Sequence, residues 1–191
     1  MRVLGINGIR TDGASSTDKV IDMLTARGHK GIDVNYPKVN IFQSRSKRRQ
    51  YANASILLNA HRQGDTLVAH SYGCLIALRA MELGARFGQV FFFAPAMNRD
   101  FVFPYHGMEK LTVIHNRTDQ AISLGNLLWR HDFGKMGSHG YKGAPDSRIS
   151  NLRDFGGSYG SRNHSHYFND SNIVDWVNFV ELKMRGTNVK V

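Results

Sequence analysis

Short apolar runs alternate with helix-patterned segments along almost the whole chain, and this alternation restricts the fold more than any other feature. Arg2 to Ile6 (RVLGI), Ile32 to Tyr36 (IDVNY), Asp65 to Ala69 (DTLVA), Gln89 to Ala94 (QVFFFA) and Leu111 to His115 (LTVIH) read as buried strands. A weaker strand fits Arg148 to Phe155. Helical spacing falls between them. It covers Val20, Ile21 and Leu24, behind a Ser16 or Thr17 cap and before Gly28. It recurs over Tyr51 to His61, with a stop at Gly64, over Gly73 to Leu83, over Ala121 to Trp129 and over about Asp170 to Met184. Strands alternating with helices imply an α/β fold, a mostly parallel central sheet with helices on both faces. Ligands of such sheets gather beyond the carboxyl ends of the strands. Functional residues are therefore expected just after Ile6, Ala69, Ala94 and His115.

A chain of 191 residues with 11 Phe, 7 Tyr and 2 Trp has core material for one domain, expected to span residues 1–191 with 185–191 as a solvated tail. Cys74 is its only cysteine, so no internal disulfide can form. The opening MRVLGINGIR has no sustained apolar stretch, and no segment has the length of a membrane span. A cytoplasmic setting is the expectation. Lys and Arg number 25 against 15 Asp and Glu, a formal charge of +10. That excess favours weak contact with anionic polymers, and Arg45, Lys47, Arg48 and Arg49 read as a basic loop. No aromatic residue interrupts these charges, so base stacking is not suggested.

Leu67 to Leu75 (LVAHSYGCL) carries the chemistry. An apolar strand runs into an apolar helix through Ser71, with small residues, Ala69 and Gly73, on either side. A turn that sharp needs small neighbours, lifts the hydroxyl above the sheet and sets the next N–H groups at a helix N-terminus. A serine nucleophile also needs a base, usually His, and a carboxylate to orient it. Asp119 follows the strand Leu111 to His115 and a polar turn; Asp132, Asp146 and Asp154 have no clear buried strand before them. Two histidines, His164 and His166, lie in the loop before the last helix.

Taken together these segments resemble the α/β-hydrolase family, from Val3 to about Met184. The elbow of that family is usually Gly-x-Ser-x-Gly; here it is Ala-His-Ser-Tyr-Gly, residues 69–73. The resemblance implies Ser71 as nucleophile, with His70 on the other side of the turn. It implies Asp119 as the acid, and His164 as the base because Asn163 to Phe168 (NHSHYF) is similar to a closing His-Ser-x-Tyr-Phe string of small members; His166 is the alternative base. It also implies an oxyanion hole from the backbone N–H groups of Tyr72 and of Ile9, the latter in Ile6-Asn7-Gly8-Ile9, where Asn7 stands in place of the usual His. The substrate is then expected between residues 10–16, 97–106 and 130–163, with Phe101, Phe103 and Tyr105 available for an apolar wall. Ala94 to Lys110 is too short for a large cap domain.

No His-Glu-x-x-His string, cysteine pair or glycine-rich phosphate loop is present, so neither a metal nor a cofactor is expected. The expected function is that of a serine hydrolase cleaving an ester, thioester or amide through an acyl-enzyme, with carboxylic esters foremost. The alternative is a non-catalytic binding or scaffold module on the same fold, using its basic surface for anionic polymers.

Overall fold

A computed structural model of the chain describes residues 1–9, 17–37, 39–40, 42–119, 134–154 and 164–186. Its strands are β1 (Arg2–Ile6), β2 (Lys30–Asp33), β3 (Thr66–His70), β4 (Phe87–Phe93), β5 (Met108–His115) and β6 (Ile149–Arg153). They form one sheet in the order β2-β1-β3-β4-β5-β6, and every pairing is parallel. The helices are α1 (Thr17–Ala26), α2 (Lys47–Ala60), α3 (Tyr72–Glu82), the single turn α4 (Met136–His139) and α5 (Ile173–Met184).

The central strands are apolar on both faces because both faces are covered. On one side α2 and α3 enclose Leu4, Ile6, Leu67, Ala69, Phe92 and Val113. On the other, α1 and α5 enclose Val3, Val68, Phe91, Phe93 and Ile114. Trp176 of α5 is fully buried and meets Phe93 edge-on at 5.3 Å, a favoured aromatic geometry. Every residue of α3 from Tyr72 to Met81 is buried, as its apolar circumference requires.

The chain passes from β1 outward to β2, then returns across β1 to lay down β3 on its other side. The sheet order therefore reverses between β1 and β3, where Ile6 pairs with Ala69. Parallel sheets open a crevice at such a reversal. Residues 7–9 and Ser71 both leave the sheet there.

Several boundaries differ from the sequence reading. β2 covers Lys30–Asp33 rather than residues 32–36. Only the Val34 N–H continues the ladder, to the Gly5 carbonyl at 2.8 Å, because β1 ends one residue later, at Ile6. Val34 and Tyr36 still point into the core. The basic segment is not a loop: Arg45 lies in a short 3₁₀ turn, and Lys47, Arg48 and Arg49 form the first turn of α2 behind the cap Ser46. All four basic side chains are exposed. The helix expected over 121–129 and the end of the tail lie outside the described residues.

One ion cluster ties the end of α1 to α5. Glu181 accepts from Arg27 at 2.9 Å and Arg185 at 2.8 Å, and contacts His29 at 3.1 Å. These partners, the His29 hydrogen bond first and Arg27 next, pull the Glu181 carboxyl down to about 2 from 4.5. A depressed carboxyl stabilises the fold above its unfolded value, and that contribution disappears as pH falls through the folded value. Glu181→Gln is therefore expected to flatten the melting temperature against pH between 4.5 and about 2. An unchanged acid slope would show that the cluster adds nothing.

Candidate active site

Ser71 sits between β3 and α3 with φ 55° and ψ −122°, a left-handed conformation that is costly for a side chain with a Cβ. Such strain, of order 1–3 kcal/mol, persists only where the surroundings over-determine it. Here they do. The Ser71 N–H donates to the Phe93 carbonyl at 3.0 Å, and its own carbonyl accepts from Cys74 at 3.1 Å and Ala96 at 3.2 Å. Its side chain makes no capping bond to α3, so holding the helix end is not what this serine does. Among the described residues its hydroxyl has no hydrogen-bond partner, His164 included.

Two glycines allow this packing. A Cβ on Gly73 would lie 2.5 Å from the carbonyl oxygens of both Ile6 and Asn7. A Cβ on Gly8 would lie 2.8 Å from Ser71 Cβ and 3.2 Å from its Oγ. The loop after β1 therefore runs directly against the serine, and the backbone, not a side chain, faces it. Gly73→Ala is expected to cost about 3 kcal/mol or more, since rigid backbone atoms cannot yield to the methyl. Chemical denaturation measures this, and an unchanged midpoint would mean that the two loops separate easily.

Asn7 occupies the start of the same loop. Its Oδ1 accepts from the Thr17 N–H at 2.8 Å and the Thr17 hydroxyl at 2.9 Å, and its Nδ2 donates to Asp18. The Tyr36 hydroxyl, inside the core, meets the carbonyls of Asn7, at 2.9 Å, and Gly8. Asn7 thus fastens the loop to the first turn of α1, and Tyr36 holds it from below. Ile9, half-buried, packs on the same core. Tyr72 is the first residue of α3, where a helix leaves its N–H without an intrahelical acceptor.

The expected acid and base meet. His164 Nδ1 lies 2.6 Å from Asp119 Oδ2; the Asp119 side chain is fully buried, and that of His164 keeps 18% exposure. The other histidine has a carboxylate of its own. His166 Nε2 lies 2.5 Å from Asp154 Oδ2, with side-chain exposures of 0% and 3%. Asp154 directly follows β6, the weak strand expected within Arg148 to Phe155; no residue of that strand is buried, yet the Asp154 side chain is. Asn116 joins the two pairs. Its Nδ2 donates to Asp154 at 3.3 Å, its Oδ1 accepts from the Thr118 N–H at 3.0 Å, and its carbonyl accepts from the Asp119 N–H at 3.2 Å.

His70 also belongs to this arrangement. Its ring centre is 4.7 Å from that of His164, and its Nε2 is 3.3 Å from the His164 carbonyl. Phe168 meets it edge-on at 5.1 Å. Burial first, and then the neighbouring His164 charge, push the His70 pKa well below 6.5, which keeps the imidazole neutral. An elbow residue expected only to turn away from the serine thus supports the histidine loop. The sequence carries no sign of this, because the partners are 94 residues apart.

Among the described residues, two of the three side chains expected for an apolar wall are engaged elsewhere. Phe103 is buried against Phe92, and the Tyr105 ring packs on Arg148, next to the start of β6 and away from the serine. Residues 10–16 and 155–163, and 130–133 of the third wall, lie outside the described residues.

A six-stranded parallel sheet with this order, a strained serine after its third strand and a histidine–carboxylate pair beyond its fifth defines a compact α/β-hydrolase fold. Among solved structures, the chain is similar to alpha/beta hydrolase domain-containing protein 10 from mouse, with TM-score 0.61 at 11% identity over 97% of this chain and 90% of that one. It is also similar to the ydeN gene product from B. subtilis, with TM-score 0.58 at 17% identity over 94% of this chain and 98% of that one. No protein-family model matches the sequence, and no curated protein matches it.

Proposed function

We propose that this chain is a serine hydrolase that cleaves carboxylic esters through an acyl-enzyme. Thioesters and amides are the neighbouring substrate classes. Ser71 Oγ attacks the carbonyl carbon while His164 Nε2 takes its proton. Asp119 holds the imidazole at Nδ1, which leaves Nε2 directed away from the carboxylate. The N–H groups of Tyr72 and Ile9 receive the developing oxyanion. His164 then returns the proton to the leaving alcohol, and water repeats the sequence to free the acid.

The observation that carries this reading is the 2.6 Å contact between His164 and a buried carboxylate, beside a serine held at φ 55°. The accessible edge favours His164 over the fully buried His166 as the base. The hydrogen bond from Ser71 to His164 is then made on substrate binding, since catalytic contacts commonly tighten only in the Michaelis complex. The lone Cys74 is buried and unpaired, consistent with a reducing, cytoplasmic compartment. Labelling by a fluorophosphonate probe tests the reading. Ser71 is expected to carry the adduct and Ser71→Ala to lose it; equal labelling of both proteins rejects Ser71 as the nucleophile.

The exposed Arg45, Lys47, Arg48 and Arg49 support a second reading, a module that binds anionic polymers. It requires salt-dependent binding of DNA or RNA by Ser71→Ala together with no hydrolysis of any acyl ester by the parent chain.

A further inference from the structure

Tyr36 stands two residues past the last ladder bond of β2, the one from the Val34 N–H. The extended chain continues to alternate there. Val34 and Tyr36 point into one core, and Asn35 between them is exposed. This brings the Tyr36 hydroxyl beneath the loop that follows β1. It lies 2.9 Å from the Asn7 carbonyl and also meets the Gly8 carbonyl. Carbonyls only accept, so the single phenol proton is shared between the two.

That contact fixes two successive peptide planes. In a planar trans peptide the N–H points opposite to the C=O, and no cis bond occurs among the described residues. With both carbonyls drawn to the hydroxyl on the core side, the Gly8 and Ile9 N–H groups turn away from the core. Ser71 stands against this same loop: a Cβ on Gly8 would lie 3.2 Å from its Oγ. The ring of Tyr36 reaches the other side of the crevice. It meets the Tyr72 ring edge-on at 6.2 Å and 64°, and Tyr72 opens α3 directly after Ser71.

We infer that Tyr36 is a positioning residue of the oxyanion site: its hydroxyl holds the Gly8–Ile9 peptide so that the Ile9 N–H faces the substrate oxygen, and its ring seats that peptide against Tyr72. The role rests on the acyl-enzyme reading above. No proton leaves the phenol. Negative charge that develops on the oxyanion polarises the Gly8–Ile9 peptide through its N–H, and the Gly8 carbonyl becomes a stronger acceptor for the Tyr36 hydroxyl. The hydrogen bond is thus tighter in the transition state than in the ground state, and such an interaction raises kcat instead of lowering KM.

Tyr36→Phe removes the hydroxyl and keeps the ring. It is expected to lower kcat for p-nitrophenyl acetate by about 10- to 100-fold, less than the loss of a whole oxyanion donor, with KM hardly changed. Val34→Ala truncates the same core and leaves the hydroxyl in place; it is expected to melt earlier with kcat unchanged. A residue-specific readout comes from NMR of the fluorophosphonate adduct, whose phosphonyl oxygen stands in for the oxyanion. On adduct formation the Ile9 amide proton is expected to move downfield in the parent and much less in Tyr36→Phe, whereas the Tyr72 amide moves in both. The Tyr36 hydroxyl proton of the parent is expected to move downfield too, a measurement that needs no variant and holds even where Tyr36→Phe does not fold. Equal kcat in Tyr36→Phe and the parent, an equal loss in Val34→Ala, or a Tyr36 hydroxyl proton indifferent to the adduct would each overturn the role of Tyr36 and leave the acyl-enzyme reading intact. A parent chain that forms no adduct at Ser71 overturns that reading, and the role of Tyr36 with it.

Discussion

On the proposed mechanism, alanine in place of Ser71 or of His164 is expected to lower ester turnover by about four to six orders of magnitude, with the double replacement no slower than the slower single one. The reason is that the proposed nucleophile and base act on one proton. Without the hydroxyl there is nothing for His164 to deprotonate. Without the imidazole, the hydroxyl of Ser71 keeps a proton that no other group takes. The two losses therefore overlap instead of multiplying. Stability should hardly change in Ser71→Ala. Its hydroxyl makes no capping bond, and alanine inherits the same backbone at φ 55°. The change is expected to lie within about 0.5 kcal/mol of the parent. Turnover of p-nitrophenyl acetate by the three variants, with melting curves as the control, measures both statements. A double variant slower by the product of the two single effects would mean that Ser71 and His164 work independently, contrary to the proposed proton transfer.

The parts of the molecule legible in the sequence share one property: neighbours along the chain carry the signal. β1, β3, α3 and α5 were marked by continuous apolar runs or by helical spacing. The elbow was marked by strand, serine and helix in immediate succession. Even the pairing of Asp119 with His164 rested on the context of each residue in its own segment. What stayed hidden is tertiary. β6 is a half-exposed edge strand, legible only as the weak segment Arg148 to Phe155, and nothing in that segment marks the pairing of Asp154 with His166. Asn116 looks like an ordinary turn residue, yet its side chain reaches a carboxylate 38 positions away. His70 reads as part of the elbow string, and only folding brings it under His164. The basic segment was misplaced because Lys and Arg are equally at home in a loop and in an exposed helical turn. Its cap, Ser46, was the available signal.

The two carboxylates near the histidines should respond to substitution in opposite ways. Asp119→Asn replaces an acceptor with an amide of the same shape. The amide can donate to Nδ1, which leaves the proton of the imidazole on the nitrogen that must accept from Ser71. Turnover is expected to fall by about 10⁴-fold while the protein stays folded, the size of loss that a wrong tautomer causes in serine hydrolases. Asp154→Ala acts elsewhere. It strips a carboxylate partner from a fully buried histidine and one acceptor from Asn116. Breaking a buried pair from one side costs about 3–5 kcal/mol, so this variant is expected to melt far below the parent. Held well under that temperature, it should still react with a fluorophosphonate, because Ser71, His164 and Asp119 are unchanged. Fluorophosphonate labelling and thermal melting of both variants therefore separate the pair that works on the substrate from the pair that holds the loop. If Asp154→Ala loses activity at full stability while Asp119→Asn merely unfolds, then His166 is the base, and the 18% exposure of His164 reflects only its place at the surface.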